Sequence, residues 1–327
     1  MRGDHYLTVL NSRWYRGLVD VQDALSQSMA FFADRGLKVL HLPITTQSIS
    51  SPMGLGSDSG PVAIELFGVR TYLADSMQFM LEYGCRLSPR GCYYMMPSFR
   101  AESPDETHLS QFYHVEAEIP GSLDDALELA EGYIRATCLT VLENCRHAVE
   151  ELAGSTVHIE EFLSRGRLPR ISVDEAFQLI GCDPAFQRTN GLPPFRSLTR
   201  RGEVELLRQM GGFVWVTDPD HLSVPFYQAF ADSSKRKALA ADLLFGVGEV
   251  VGAGERHKCA AAVAEALAMH NVDPDPYIWY QRIRECSPMM TSGFGLGTER
   301  FICWILKHND VRDCQLVPRA NGEVLIP

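Results

Sequence analysis

PSFRAESPDETHLSQFYHVEAEI, residues 97–119, carries the strongest structural signal in the chain. From Phe112 onward the side chains alternate along a predicted strand, so that His114, Glu116 and Glu118 share one face with Phe112. The residues between them, which are mostly apolar, occupy the other face. The pattern predicts a strand that packs one face on a core and turns the other toward a ligand or solvent.

Charged side chains precede this strand. Arg100 and Glu102 lie at the end of an earlier strand, and His108 lies in the connecting turn. Such a hairpin suits a nucleoside triphosphate, because a guanidinium binds phosphate oxygens, a ring such as that of Phe112 stacks on a base, and carboxylates hold Mg²⁺ or a polar substrate. A salt-bridged surface hairpin would give the same pattern, so the segment alone leaves both interpretations open.

A second segment, GFGLGTERF at residues 293–301, has the pattern of a glycine-rich strand that turns into an apolar helix. Glycines permit close approach of a ligand to the backbone, and Arg300 lies where the helix begins. The segment is not a Walker loop, since no G-K-[ST] follows. Packing glycines beside an ordinary surface arginine are the alternative interpretation.

The other elements follow at irregular intervals. Helices are predicted over residues 18–36 and from Ser122 to about Leu163, and strands over residues 62–67, 70–74, 92–96, 112–119, 212–218 and 243–257. The strict β-α-β alternation of a parallel sheet is absent, so we predict an α+β fold, a mainly antiparallel sheet flanked by helices. Residues 122–212 are expected to form a helical insertion in a single domain that spans residues 1–327.

Composition excludes several classes of protein. The 327 residues are 46% hydrophobic and 22% charged, which argues against wholesale disorder. No apolar run reaches the roughly 18 residues of a membrane span, and the N-terminus lacks a signal peptide's apolar stretch, so we expect a cytoplasmic protein with no membrane partner. The nine cysteines include no C-x-x-C pair, which favours reduced thiols over a zinc site. The net charge of −11 argues against tRNA as a ligand.

Together the two segments resemble motifs 2 and 3 of class II aminoacyl-tRNA synthetases. F-R-A-E followed by H-L-x-x-F-x-x-x-E-x-E is similar to motif 2, and G-x-G-L-G-x-E-R-F to motif 3. AFFADRGLKVLHLPITT, residues 30–46, looks like motif 1 with its single proline. The sequences VLENC, VDPDPYIWYQRIRE and VRDCQLVPR resemble the asparaginyl enzymes more than the aspartyl ones. The resemblance implies the antiparallel sheet of that class, ATP and Mg²⁺ as cofactors, and a homodimer, since motif 1 forms the family's interface.

The resemblance also implies an ATP site. Its residues would be Arg100, Glu102, His108, Phe112, Glu249, Gly297 and Arg300. In the family pattern, Arg100 contacts the α-phosphate and the reacting carboxylate, and Arg300 holds the γ-phosphate. Phe112 would stack on adenine, and His108 would contact the triphosphate. Arg100, Arg300 and Glu249 are the implied catalytic residues.

The same resemblance implies a metal site and an amino-acid site. The implied metal ligands are Glu249 and, as a weaker second, Asp242, and the implied substrate-binding residues are Ser76, Gln78, Glu116, Arg256 and Asp58. Arg256 matches the arginine that reads the substrate's side-chain carboxylate or amide, and Glu116 the acid near that end. Gln78 matches the glutamine that helps to hold the α-amino group.

The chain departs from the synthetase pattern in several places. The motif 1 match starts near residue 28, which leaves no room for the N-terminal anticodon-binding domain of the asparaginyl and aspartyl enzymes. Pro61 occupies the usual position of a glutamate in the α-amino pocket, where Asp58 is a possible substitute. Thr107 replaces an arginine of motif 2, and Tyr94 stands where synthetases usually have glutamate.

These departures resemble archaeal asparagine synthetase-related paralogues of the asparaginyl enzymes. We therefore expect an AMP-forming ligase that adenylates a carboxylate, such as aspartate's side chain, and transfers the acyl group to ammonia or a small amine. The alternative is a truncated asparaginyl-tRNA synthetase-like enzyme that aminoacylates tRNA or another carrier. A binding module without catalysis is a third possibility, although the matches at Arg100, Arg300 and Glu249 argue against it.

Overall fold

The computed structural model describes residues 5–50, 60–189 and 194–319. The helices are α1 (His5–Asn11), α2 (Arg13–Ser28), α3 (Ala30–Asp34), α4 (Gln78–Cys85), α5 (Leu123–Asn144), α6 (Arg146–Ala153), α7 (Val157–Ser164), α8 (Val173–Ile180), α9 (Arg200–Gln209), α10 (Ala260–Met269), α11 (Ile278–Cys286) and α12 (Thr298–Ile305). The strands are β1 (Lys38–Val39), β2 (Thr45–Thr46), β3 (Val62–Leu66), β4 (Val69–Leu73), β5 (Cys92–Phe99), β6 (Gln111–Pro120), β7 (Arg170–Ser172), β8 (Gln187–Thr189), β9 (Arg196–Leu198), β10 (Phe213–Thr217), β11 (Ala240–Phe245), β12 (Gly248–Glu255) and β13 (Thr291–Gly297).

In the described part of the chain, the largest sheet has eight strands in the order β1-β5-β6-β13-β12-β11-β10-β7. The six central strands pair with one another in antiparallel fashion, in the order β5, β6, β13, β12, β11 and β10. At the edges, β1 pairs in parallel with β5 and β7 pairs in parallel with β10. Helices pack on this sheet, so the predicted α+β architecture with a mainly antiparallel sheet is confirmed. Two smaller sheets, β2-β4-β3 and β8-β9, lie beside it.

The central strands divide the sheet into an apolar and a polar face. On β6, Val115 and Ala117 are buried in the main core, and their partners on β13 are Leu296 and Phe294. The alternate residues of β13 are glycines, and those of β6 are His114 and two glutamates. Because side chains alternate across a strand, one face packs on helices while the other bears the polar groups.

The core on the apolar face is built around α2, α3 and α5. Phe32 stacks between Tyr93 of β5 and Tyr133 of α5, with ring centroids 4.9 and 4.7 Å away. Helix α5 starts with a capping box, in which Ser122 and Asp125 satisfy each other's backbone N–H groups. Phe32 is fully buried, and its replacement by alanine would cost about 3–5 kcal/mol.

A second core lies beyond the polar face. Phe79 of α4 packs on Phe226, Tyr277 and Tyr280, together with the apolar side of α10. This cluster supports the segment that follows β10 and the N-terminus of α4, both of which border the polar face. Its rigidity therefore helps to position that border.

Several elements differ from the sequence-based expectation. The single strand predicted over residues 243–257 is a hairpin of β11 and β12, whose turn uses Gly246 and Gly248 at φ values of 57° and 120°. The helix predicted over residues 18–36 is interrupted at Met29. Residues 122–212 include β7, which pairs with β10 at the edge of the main sheet, and the proposed division into one domain with an insertion stays a prediction. Among the described residues, no helix combines the length and apolarity needed to cross a membrane.

Candidate active site

Two adjoining cavities open on the polar face of the main sheet. All seven residues predicted to bind ATP line the first, namely Arg100, Glu102, His108, Phe112, Glu249, Gly297 and Arg300. The second is lined by Ser76, Gln78, Glu116 and Arg256, together with Asp242. Asp58, the remaining predicted substrate-binding residue, lies outside the described residues. The structure thus brings the predicted residues together in two groups that match the predicted ATP and amino-acid sites.

Arg300 is held in place by backbone carbonyls. Its Nη1 donates to the carbonyl of Glu249 over 2.7 Å, and its Nε donates to the carbonyl of Thr107 over 3.2 Å. Arg300 belongs to the first turn of α12, directly after the glycine strand β13. Because neutral acceptors hold the guanidinium, its positive charge stays available for a phosphate.

Arg100 also lines the first cavity. Its guanidinium carbon is 5.2 Å from the centre of the Phe112 ring, and Nη1 is 4.0 Å from Glu102 Oε1. Among the described residues, its buried Nε has no hydrogen-bond partner. A buried donor without a partner costs free energy, so this atom fits a site that is completed by an anionic ligand.

His108 is fixed by a tight turn at the mouth of the first cavity. Its Nδ1 lies 2.8 Å from Asp105 Oδ1, and Thr107 donates to the same oxygen from its backbone N–H and its hydroxyl. Burial opposes ionisation of Asp105, but the hydrogen bonds from Thr107 and His108 lower its pKa to about 2. Thr107, which replaces an arginine of the family pattern, therefore helps to hold the carboxylate that orients His108.

Asp242 lines the second cavity, Glu249 lines both cavities, and the charges of Glu249 and Glu203 act on Asp242. Burial, followed by the charges of Glu249 and Glu203, holds the pKa of Asp242 well above its usual range. Among the described residues, no three side chains form a metal site of their own. Two carboxylates beside a phosphate cavity nevertheless suit Mg²⁺, which protein sites hold through one or two carboxylates plus substrate oxygens. Glu249 and Asp242 would hold the ion.

The floor of the second cavity contains a buried ion pair. Arg256 Nε and Nη2 donate to the two oxygens of Glu118 over 3.1 and 2.9 Å, and Nη1 donates to Gln228 Oε1 over 2.8 Å. Burial works against both charges: it raises the pKa of Glu118, and it lowers that of Arg256. For Arg256, contact with the Glu118 carboxylate more than reverses the effect, so its pKa shifts upward overall.

Glu116 is held by side chains from three segments. The hydroxyls of Tyr94 and Ser76 donate to Oε2, the latter over 2.7 Å, and Nδ1 of His114 lies 3.2 Å from Oε1. Burial would raise the pKa of Glu116, but the hydrogen bonds from His114, Tyr94 and Ser76 lower it overall. Glu116 is thus a fixed anion in the wall of the second cavity. Tyr94 is one of the positions where the sequence departs from the family pattern.

Glycines on the two central strands leave space for these side chains. A Cβ atom at Gly293 would lie 2.0 Å from Glu118 Oε2, and one at Gly254 would lie 1.8 Å from Gln228 Oε1. Either contact is far shorter than van der Waals distance. Gly293 of the second sequence segment is therefore constrained by the neighbouring strand β6, in addition to allowing close approach of a ligand.

Sequence reasoning missed two residues that shape the site. Gln228 binds Arg256 from a loop that has no recognisable motif. Glu299 is buried beside Arg300 and accepts hydrogen bonds from the backbone N–H of Tyr113 and from Gln315, which fastens α12 to β6. The available signal for Glu299 was an acidic residue at the start of a mainly apolar helix, next to Arg300, whereas nothing in the sequence pointed to Gln228.

Comparisons with known proteins agree with this geometry. The chain is 26% identical over 325 residues to an asparagine–tRNA ligase of Lactococcus lactis, with 96% of this chain and 70% of that protein covered. It is 30% identical over 268 residues to the asparagine–tRNA ligase of Thermococcus gammatolerans, with 80% and 60% covered. The chain therefore spans about 60–70% of the length of these two relatives.

Solved structures show the same fold. The asparaginyl-tRNA synthetase of Pyrococcus horikoshii, complexed with asparaginyl-adenylate, superposes with a TM-score of 0.87 at 24% identity, covering 98% of this chain and 72% of that one. A putative aspartyl-tRNA synthetase from Leishmania major gives a TM-score of 0.73 at 18% identity, with 97% and 69% covered.

One expectation drawn from the sequence is wrong. The overall negative charge led to the prediction that tRNA is not a partner, but the relatives that match this chain are asparagine–tRNA ligases. Net charge is a poor guide here, because nucleic-acid binding depends on local clusters of cations and an acidic protein can carry them.

A sequence profile of the tRNA synthetases of class II (D, K and N) matches residues 4–321, which is nearly the whole chain. The profile, the antiparallel sheet and the paired arginines at one cavity all agree. The chain belongs to this class II synthetase family, whose members are ATP-dependent ligases that form aminoacyl-adenylates and use Mg²⁺.

Proposed function

We propose that this enzyme activates asparagine as its adenylate and transfers the asparaginyl group to tRNA. The observation that carries the choice of amino acid is that Glu118 and Gln228 together engage all three nitrogens of Arg256. The acceptor is supported by the relatives, which are named as asparagine–tRNA ligases. Dimerisation through the motif 1 region stays a prediction.

The donors of Arg256 leave little room for a substrate carboxylate. A guanidinium has five N–H groups, and here both nitrogens of one edge already bind Glu118 while Nη1 binds Gln228. A bidentate contact with aspartate would need a free edge. A single amide oxygen needs one donor, so the side chain of asparagine fits the remaining capacity better.

The charges around the second cavity also favour asparagine over aspartate. Glu118 neutralises Arg256, while Glu116 adds a negative charge to the wall of the same cavity. A second carboxylate brought into this buried site would be repelled by Glu116, and low polarity strengthens such repulsion. A neutral amide avoids that cost and can donate its N–H groups to a carboxylate.

The two cavities would hold the two reactants of adenylate formation side by side. A carboxylate oxygen of the amino acid attacks the α-phosphorus of ATP, the bond to the bridging oxygen breaks, and pyrophosphate leaves with the electron pair. Arg100 lines both cavities and would bind the α-phosphate and the reacting carboxylate, while Arg300 would bind the γ-phosphate. Glu249 and Asp242 would hold Mg²⁺, which would neutralise part of the phosphate charge. No side-chain nucleophile is needed.

A two-stage assay tests the proposal. Amino-acid-dependent exchange of labelled pyrophosphate into ATP should be at least about tenfold more efficient with asparagine than with aspartate, which corresponds to about 1.4 kcal/mol of discrimination. Charging of tRNA by asparagine should follow. Exchange that prefers aspartate, or exchange with asparagine without any charging of tRNA, would contradict the corresponding half of the proposal.

The amide-forming ligase predicted from the sequence is the second candidate. It is supported by Pro61, which cannot bind an ammonium group as a glutamate does. The carbonyl of Gly60 accepts a hydrogen bond from the backbone N–H of Ala101, so this segment adjoins the Arg100 wall. This candidate predicts that aspartate and ammonia yield asparagine and AMP without tRNA, whereas the first predicts no such product.

A further inference from the structure

His114 is an imidazole at the reaction centre for which the proposed adenylation has no use. It lies on β6 between Phe112, the predicted adenine contact, and Glu116 of the amino-acid cavity. Its Nδ1 is 3.0 Å from the hydroxyl oxygen of Ser98 and 3.2 Å from Glu116 Oε1. The ring also packs edge-on against Phe112, with centroids 4.7 Å apart. These contacts fix its orientation.

The position of His114 is the boundary between the two cavities. His114, Arg100, Glu102, Glu249 and Gly295 line both of them. In the proposed reaction this is where the α-phosphate of ATP meets the carboxylate of the amino acid, so the acyl-phosphate bond forms here. His108 lines the first cavity and does not line the second.

The contacts of Nδ1 determine the chemistry of Nε2. A neutral histidine carries one proton, and a carboxylate acceptor at Nδ1 selects the tautomer that is protonated there. Nε2 then bears a lone pair. In the part of the chain that the structure describes, Nε2 has no hydrogen-bond partner and is not buried from solvent. The imidazole is therefore held by a carboxylate on one side and open to the cavity on the other.

We infer that His114 is the general base of the acyl-transfer step, an inference that rests on the proposed function. A ribose hydroxyl at the end of tRNA attacks the carbonyl carbon of the adenylate, and its proton passes to Nε2 of His114. The new C–O ester bond forms, the bond between the carbonyl carbon and the phosphate oxygen breaks, and AMP leaves with that electron pair. His114 is released by loss of the proton to water. Glu116 stabilises the transient imidazolium, as a carboxylate does in other carboxylate–histidine pairs.

The neighbouring groups at the boundary are less suited to this role. Arg100 cannot accept a proton, and Glu249 is committed to the metal site in the proposed mechanism. Glu102 is engaged as the ion-pair partner of Arg100, with 4.0 Å between Arg100 Nη1 and Glu102 Oε1. His114 is not needed merely to orient Glu116. Tyr94 and Ser76 already hold that carboxylate by its other oxygen.

The test separates the two steps in the variant His114→Asn. Asparagine keeps a short donor that can reach Glu116 and lacks a basic nitrogen. Ser98→Ala, which removes the other contact of Nδ1 and keeps the imidazole, is the matched control. Three rates are measured for each protein: pyrophosphate exchange, transfer from preformed adenylate to tRNA in a single turnover, and formation of a hydroxamate with hydroxylamine. Hydroxylamine is a strong nucleophile that needs little help from a base.

We expect transfer to tRNA by His114→Asn to fall at least about 100-fold more than pyrophosphate exchange. Hydroxamate formation should fall no further than exchange, and Ser98→Ala should keep the ratio of the two steps within about threefold of the unaltered protein. If exchange and transfer to tRNA fall equally, or if hydroxamate formation falls as much as transfer to tRNA, the inference is overturned and the proposed function is not affected. If the unaltered protein shows no exchange with any amino acid, the proposed function fails, and this inference fails with it.

Discussion

Arg256 and Glu118 are joined by two hydrogen bonds of 3.1 and 2.9 Å, although they lie 138 residues apart in the chain. Glu118 projects from β6, and Arg256 directly follows β12, with β13 between these strands. Both side chains are almost fully buried. The pair therefore fixes the charge and the width of the second cavity, and in the proposed function it selects the amino-acid side chain.

Removing the charge of Glu118 should alter amino-acid selection. In Glu118→Gln, Arg256 keeps its charge and loses the carboxylate that neutralises it, so the cavity becomes more favourable for an anion. We expect the efficiency of aspartate relative to asparagine to rise at least about tenfold in pyrophosphate exchange. Glu131→Gln is the control, because Glu131 is buried on the other face of the sheet, against Trp215. Equal ratios in both variants would refute this role for Glu118.

Loss of Arg300 should slow ATP turnover. Arg300→Ala removes a cation that is held in the first cavity by two backbone carbonyls, and we expect turnover to fall by at least about 10²-fold. Arg208→Ala, which removes an exposed arginine paired with Glu205 on α9, should retain near-normal turnover. Initial rates of pyrophosphate exchange measure both. Near-normal activity of Arg300→Ala would show that the motif 3 match does not mark the phosphate site.

Asp242 is expected to destabilise the ligand-free fold and to contribute to Mg²⁺-dependent activity. Burial and the charges of Glu249 and Glu203 raise its pKa, which means that the folded protein disfavours the ionised form. Asp242→Asn should therefore stabilise the ligand-free protein by about 1 kcal/mol while it lowers Mg²⁺-dependent exchange, a trade-off common at active sites. Urea unfolding without ligands and a magnesium titration of exchange provide the two measurements. A stabilised variant with unchanged magnesium dependence would exclude Asp242 as a ligand.

Acid should destabilise the fold through three buried histidines. Burial lowers the pKa of His221 to about 4 and, aided by the charge of His221, lowers the pKa values of His257 and His270 to about 3. The unfolded chain has a histidine pKa near 6.5, so it binds protons more readily than the folded protein as the pH falls. Above about pH 6.5 the histidines are neutral in both states, so they do not affect stability. Below it the free energy of unfolding falls by up to about 1.4 kcal/mol per histidine for each pH unit, down to about pH 4 for His221 and about pH 3 for His257 and His270.

Urea unfolding at about pH 7.5 and about pH 5 measures this loss. His270→Gln should reduce the difference between the two pH values, because one buried titrating group has been removed. His147→Gln, which alters an exposed histidine on α6, should leave the difference unchanged. The cluster also bears on the site, since Nε2 of His221 lies 2.9 Å from the carbonyl oxygen of Gln228. A pH-independent unfolding free energy would show that the histidines do not titrate as described.

The sequence predicted the parts of the site that lie on regular strands. Alternation along β6 correctly placed Phe112, Glu116 and Glu118 on one face, because a strand has a period of two whatever its tertiary neighbours. The glycines of β13 were also recognised. The reason that β13 has glycine at these positions is contact with side chains of β6. That contact depends on the pairing of β6 with β13, so neither segment alone reveals it.

The remaining parts depend on contacts between distant segments. Gln228 comes from an irregular loop that has no periodicity to analyse, and the histidine cluster is assembled from separate segments that meet only in the fold. The strand predicted over residues 243–257 was assigned as one element because its glycines interrupt the hydrophobic pattern without marking where the turn lies. β7 was not predicted, since three residues at the edge of a sheet carry too short a pattern.

The glycines of β12 and β13 have a consequence for mutagenesis. Alanine scanning is designed to subtract atoms, but at Gly254 and Gly293 alanine would add a methyl group at the position of a side-chain oxygen of Gln228 or Glu118. The experiment would then report obstruction of the cavity instead of loss of a contact. At Gly293 the methyl group would also meet the backbone oxygen of Ala117, which cannot move aside as a side chain can. A survey of charged residues alone would overlook such positions, because they have no functional group.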